Sequence, residues 1–239
     1  MEGIISNYYD NIKNDENHRL KSWEHCYTQF TMMFKKDKLS DTDIDYLSLH
    51  LAFYLASWGM YRGSSFILQK DYKVFYPVIE LLSINRNKFN DGKIEYLLND
   101  ENDNTIKKYV NSFFEFDAEL TKLLNEMRNT VKGKIVTSVS DTLRTKITLG
   151  TYGSIPAYDR YFREGLRATK GHGFILAYSE NSVVKLFEFA KENRQELKDI
   201  RQELTSKYGV EYPYMKLIDM YLWQRGYELE EDKKIKNNN

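Results

Sequence analysis

One cysteine and three prolines in 239 residues leave this chain almost without covalent or rigid constraint. Cys26 has no second thiol, which excludes an intramolecular disulfide, a CxxC redox pair and a thiolate cage for zinc or an iron–sulfur cluster. That usage fits a reducing, intracellular home. No window approaches eighteen uninterrupted apolar residues, and the start "MEGIISNYYDNIKNDE" lacks a basic segment followed by an apolar one. The expectation is a soluble cytoplasmic protein with no membrane contact. Histidine is scarce too: His18, His25, His50 and His172 contain no pair at helical metal-ligand spacing, and no convincing set of carboxylates clusters for a metal-dependent nuclease. "KGHGF" at 170–174 fits neither a Walker loop nor a Rossmann fingerprint, so no cofactor is expected.

Glycine is also sparse, at twelve, while 29% of residues are charged and the apolar ones recur at helical spacing. The sequence therefore predicts an all-α fold of about eight to ten helices. Residues 1–239 read as one helical unit, or as two lobes, 1–100 and 101–230, around a cleft, with 231–239 as a disordered tail. A first helix is predicted over 16–36 through Leu20, Trp23, Tyr27, Phe30 and Phe34. Ser40 or Asp41 caps a second, which runs to Gly63 and, being apolar on most faces, is expected to be the central buried one. A third follows Asp71 and contains Pro77. "NRNKFNDGKIEYLLNDENDN" is the most turn-rich interval, and the helical period resumes from Thr105 to about Met127. "VKGKIVTSVS" reads as an extended loop or a short strand. Ser140 or Asp141 then caps a helix ending at Gly150, Pro156 opens another, and two more cover 181–207 and 213–227.

The formal net charge is zero, yet its distribution is uneven. Between Arg128 and Lys170 nine cations face three anions, so this stretch carries plus six and the rest minus six. The excess is either a footprint for phosphates or a solvated face. Within it lies "KITLGTYGSIPAYDRYF", residues 146–162. Asp159 falls three residues beyond Pro156, in the first turn of the predicted helix, where free amides favour an ionised carboxylate. It is either the partner of the helix dipole or a group able to stabilise a developing cation.

"LRTKITLGTYGSIPAYDRYF" resembles the segment of the helix-hairpin-helix DNA glycosylase superfamily in which a lysine leaves the hairpin and an essential aspartate follows one helix later. The resemblance makes Asp159 the catalytic aspartate, which assists expulsion of a base from its sugar, and Lys146 the lysine, which acts as nucleophile or phosphate contact. It covers about twenty residues as a motif and roughly 105–230 as helix order. One alignment puts the hairpin before Lys146; a second puts it at "LGTYGSIPA". The blocks "LHLAFYLASWGMYRGSSFILQKDY" and "MKLIDMYLWQRG" resemble an uncharacterised bacterial family, some of whose members are encoded among mobile or defence genes. The function so implied is excision of a modified or damaged base from DNA, including invading phage DNA, after the base is rotated out of the stack.

Such an enzyme needs a pocket and a backbone grip. Trp58 and Tyr61 are the candidates for the base pocket, although their helical spacing is equally that of a core. Arg62, Ser64 and Ser65 are candidate phosphate contacts, as are the backbone of Gly150, Thr151, Tyr152, Gly153 and Ser154, where glycine permits close approach. Arg144, Arg160, Arg163 and Lys170 supply charge to the same partner, DNA. A non-catalytic helical module that binds nucleic acid or a protein explains the basic segment and the turn equally well.

Overall fold

The computed structural model describes residues 1–13, 15, 17–63, 65–132 and 138–238, and among these it is entirely helical, with eleven α-helices and no strand. The chain opens with α1 (Glu2–Lys13), which the sequence reading did not anticipate. Its short apolar face makes a poor helix signal in isolation. It forms because Ile5, Tyr8 and Tyr9 are buried, with Tyr9 stacked on Tyr208 at 4.3 Å and Tyr8 edge-on to Trp223 at 5.8 Å.

Next come α2 (Lys21–Met33) and α3 (Asp41–Ser57). Ser40 and Asp43 close a capping box on α3, each side chain accepting the other's backbone N–H. α3 ends six residues before Gly63, because Gly59 adopts a left-handed φ of 74°. It is also less enclosed than its composition suggests: Leu47, Leu51 and Leu55 are buried, whereas Tyr46, Leu49 and Phe53 face outward. Two 3-10 turns, Phe66–Gln69 and Tyr72–Phe75, lead into α4 (Tyr76–Asn85), with Pro77 in its first turn.

The turn-rich interval after Asn85 contains α5 (Asp91–Asn99), capped by Asn90. α6 (Asp103–Lys132) is the longest helix among the described residues; of its periodic apolar residues Ile106, Val110, Phe113, Leu120 and Leu124 are buried, and Phe114 and Leu123 are partly buried. Of the extended segment predicted over 131–140, residues 131–132 instead continue α6, 138–140 are not in a regular element, and 133–137 lie outside the described residues. The remaining helices are α7 (Asp141–Thr151), α8 (Arg160–Ala168), α9 (Glu180–Glu192), α10 (Arg194–Tyr208) and α11 (Tyr214–Asn238). The single helix expected over 181–207 breaks at Asn193, and Gly209, at φ 70°, stops α10. Residues 231–238, expected as a loose tail, continue α11, with a Glu231–Lys234 pair on successive turns.

Buried residues before and after position 100 belong to one core. Its tightest seam joins α8 to α11. A Cβ on Gly165 would lie 1.9 Å from the Leu222 carbonyl oxygen, and one on Gly226 1.9 Å from that of Tyr161. Backbones this close tolerate only hydrogen at both crossing points. Among the described residues, no helix is long and apolar enough to cross a membrane.

Candidate functional site

α7 and α8 are joined by the segment 152–159, and it is this link that brings two distant charges together. The Lys146 ammonium, on α7, lies 2.9 Å from Asp159 Oδ2. Lys146 is 3% exposed, while the Asp159 side chain keeps 14% of its surface open. Asp159 is not inside the first turn of α8 but is its N-cap: Oδ1 accepts the Phe162 N–H at 3.1 Å, leaving Oδ2 for the lysine. Pro156 accordingly sits in the link, four residues ahead of α8, rather than opening it.

Three further side chains clamp the link. Asp219 Oδ1 accepts the Ala157 N–H at 3.0 Å, Thr145 Oγ1 accepts the Tyr158 N–H at 2.9 Å, and Thr142 Oγ1 donates to the Tyr158 carbonyl at 2.9 Å. The carboxylate of Asp159 is thus held by contacts to α7, α8 and α11 through its own and its neighbours' groups. Asp219 belongs to a second buried ion pair, with Lys216 at 2.8 Å, that sequence reasoning missed. The signal was a Lys and an Asp three positions apart within "MKLIDMYLW", where every other residue is apolar.

Trp58, at the end of α3, lies between the two pairs. The Lys146 ammonium is 4.4 Å from the centroid of its ring, that of Lys216 6.0 Å, and the Arg19 guanidinium 5.6 Å. Lys216 also sits over Trp23 and Tyr8, at 5.0 and 5.3 Å. Burial first, and then the Asp219 carboxylate, push the Tyr8 and Tyr54 phenols well above their ordinary range, so both stay neutral. The indole N–H groups of Trp58 and Trp223 and the hydroxyl of Tyr8 are buried without a hydrogen-bond partner among the described residues. The centre therefore combines aromatic faces, two ammonium groups, two carboxylates and unpaired donors. Tyr61 is half-buried, and its hydroxyl too is unpaired.

The expected phosphate contacts divide into two groups. Arg144 is turned inward, paired with Asp117 and, at 2.7 Å, with Asp141, which also holds Arg163 at 3.2 Å. The run Gly150–Ser154 is buried as well. Gly150 lies against the Tyr54 ring, Gly153 against Pro213, and the Tyr152 hydroxyl donates to the Leu82 carbonyl. The Tyr152 and Gly153 amides donate to Thr148, so the glycines serve close packing and these amides are not offered to phosphate. Thr151 Oγ1 donates to Ile147, and Ser154 Oγ is buried and unpaired.

Arg62, Arg160 and Lys170, by contrast, are exposed, Arg160 pairing with Glu230 at 2.8 Å. Ser64 lies outside the described residues. Arg62 and Ser65 line a cleft of about 410 Å3 with Arg128, Ser138 and Ser140, a lining with two cations and no carboxylate among the described residues. Leu143, on the same wall, is one turn of α7 before Lys146. Gly59 and Met60, on the other, directly follow Trp58.

A larger cavity, about 790 Å3, opens elsewhere between α2, α5 and α10. Its charges are largely matched: Arg201 holds Asp91 at 2.7 Å and Glu211 at 2.5 Å. Burial outweighs the guanidinium and pushes the Asp91 carboxyl up to about 6. Neither Lys146 nor Asp159 lines this cavity. Among the described residues no group of His, Cys, Asp and Glu is arranged to hold a metal ion. No family model matches the chain, and no curated protein or solved structure is recognisably similar to it.

Proposed function

We propose that this protein is a DNA glycosylase, with Asp159 and Lys146 as its reacting pair. The observation that carries the reading is their meeting at 2.9 Å, with the Lys146 ammonium over the face of Trp58, although they lie thirteen positions apart. Breaking an N-glycosidic bond leaves positive charge on the sugar while the bonding electrons depart with the base. A fixed carboxylate beside C1′ stabilises that charge and then takes a proton from the attacking water. The substrate reaches the pair from the Asp159 side, which is the more open.

Trp58, half-buried beside the pair, is the aromatic surface for a base extruded from the stack. The Arg62–Arg128 cleft supports the DNA assignment, because its cations and hydroxyls share a lining with Leu143, one turn of α7 before Lys146. A defence role against phage with modified DNA fits the resemblance of the α3 and α11 blocks. A second reading, a non-catalytic helical module that binds a protein, is favoured by the exposed Tyr46, Leu49 and Phe53 on α3.

The test is alkali-revealed strand cleavage of a panel of DNAs, including phage DNAs with hypermodified bases. Wild type is compared with Asp159→Asn and with the charge-neutral double variant Lys146→Met/Asp159→Asn, each checked for folding by circular dichroism. Cleavage by wild type and by neither variant is the expected result. Activity retained in a folded variant refutes the mechanism, and abasic sites on no substrate transfer the assignment to the binding module.

A further inference from the structure

The outward line of α3 consists of Thr42, Tyr46, Leu49, Phe53 and Ala56, all exposed. Their spacing of four, three, four and three positions is the a/d seam of a coiled coil, with no charge on it. Leu49 and Phe53 expose 50% and 59% of their surfaces and Tyr46 39%, although apolar side chains of this size are the ones a helix normally buries. An aromatic side chain presents 150–250 Å2 when fully accessible, so Phe53 alone offers about 100 Å2. Neighbouring elements flank the seam without covering it. On one side the Tyr46 hydroxyl donates to Gln29 of α2, and on the other Asp45 accepts from the Tyr72 hydroxyl at 3.0 Å and from that of Tyr76.

We propose that this seam is a homodimer interface in which α3 packs antiparallel against α3 of a second copy. Two features select a second copy in that orientation. The first is register: one two-fold axis near Leu51 sets Leu49 of each copy against Phe53 of the other, and Tyr46 against Ala56, so the four central layers pair across the seam and only Thr42 lies opposite a position beyond the end of α3. The second is charge. The exposed Asp41 begins α3 and the exposed Arg62 lies just beyond its end. Antiparallel packing brings each Asp41 toward the Arg62 end of the other copy and opposes the two helix dipoles, whereas parallel packing would put like charges together. The Arg62 clefts then sit at the two ends of the α3 pair, on one assembly. The inference does not depend on the proposed chemistry.

Sedimentation equilibrium of the full-length protein tests it, the expected species being twice the 28.5 kDa chain. Phe53→Glu should weaken association at least about tenfold, the weight of one central aromatic contact. Because Phe53 faces outward, the thermal melt of the dissociated chain should stay close to that of wild type diluted to monomer. Orientation is read by mixing Leu49→Cys with Phe53→Cys under oxidising conditions. The mixture should give a disulfide-linked dimer far faster than either variant alone, while Cys26, buried, stays silent. A wild-type monomer at every accessible concentration, a dimer indifferent to Phe53→Glu, or faster cross-linking of Leu49→Cys with itself would each overturn the proposal.

Discussion

Replacing Gly226 by alanine perturbs the seam on which the site depends. The added methyl carbon would fall 1.9 Å from the Tyr161 carbonyl oxygen and 2.8 Å from the Gly165 nitrogen, whereas real contacts of this kind start at 3.0 Å. The obstacle is backbone, so no rotamer change relieves it and α8 and α11 must separate by about 1 Å. Forced insertions into packed cores cost about 1–3 kcal/mol, and a backbone obstacle lies at the upper end. Alanine recovers up to about 1 kcal/mol through helix propensity. The net loss is about 2 kcal/mol, which for a chain of this length lowers Tm by about 4–8 °C. Gly165→Ala, whose methyl meets the Leu222 carbonyl at 1.9 Å, should behave alike. The double variant should lose less than the two losses combined, because one separation accommodates both methyls. Gly3→Ala is the control: nothing lies within 4 Å of its added carbon, so it should be neutral or stabilising. Urea unfolding followed by far-UV circular dichroism measures all four. A rise in stability with Gly226→Ala, or strict additivity in the double variant, would refute the close approach.

The buried ion pair gives a second expectation. Asp159→Asn leaves the Lys146 ammonium buried without its carboxylate, a loss of up to about 3–5 kcal/mol, and Lys146→Met/Asp159→Asn should recover part of it because no charge is stranded. A double variant less stable than the single, in the same urea assay, would show that the pair does not act as a unit. Acid should reveal Asp91. Its folded carboxyl, pushed up to about 6, binds a proton in the window down to about 4 where the unfolded chain does not. This contribution makes the fold more stable as pH falls from 7 toward 5, and Asp91→Asn should flatten that part of the Tm–pH curve. Parallel wild-type and variant curves would remove the assignment.

Several features of the site were legible before any coordinates. Ser40 or Asp41 and Ser140 or Asp141 announced helix starts, and the spacing in α6 its buried face, because caps and periodicity are local properties. Asp159 was rightly singled out as a helix-start carboxylate. Its partner needed the fold: Lys146 and Asp159 meet only because residues 152–159 are tied back by Thr142, Thr145 and Asp219. Gly150 and Gly153 carried the opposite lesson. A glycine marks a place where a side chain does not fit, and sequence cannot say whether the occupant is a phosphate or, as here, Tyr54 and Pro213. Lys216 and Asp219 escaped notice because an i,i+3 charge pair on a helix is ordinarily a surface feature. α1 escaped because its order depends on Trp223, Tyr208 and Tyr212, about two hundred residues away.

By itself, then, the sequence determined the helical class, most helix starts and the identity of the chemically distinctive stretch, since each follows from interactions among residues within a few turns of one another. Only the tertiary structure decided which charges became pairs, which arginines turned inward and which face of α3 was left uncovered. Those outcomes depend on which helices pack together, and that is settled by shape and burial over the whole chain, not by any local pattern.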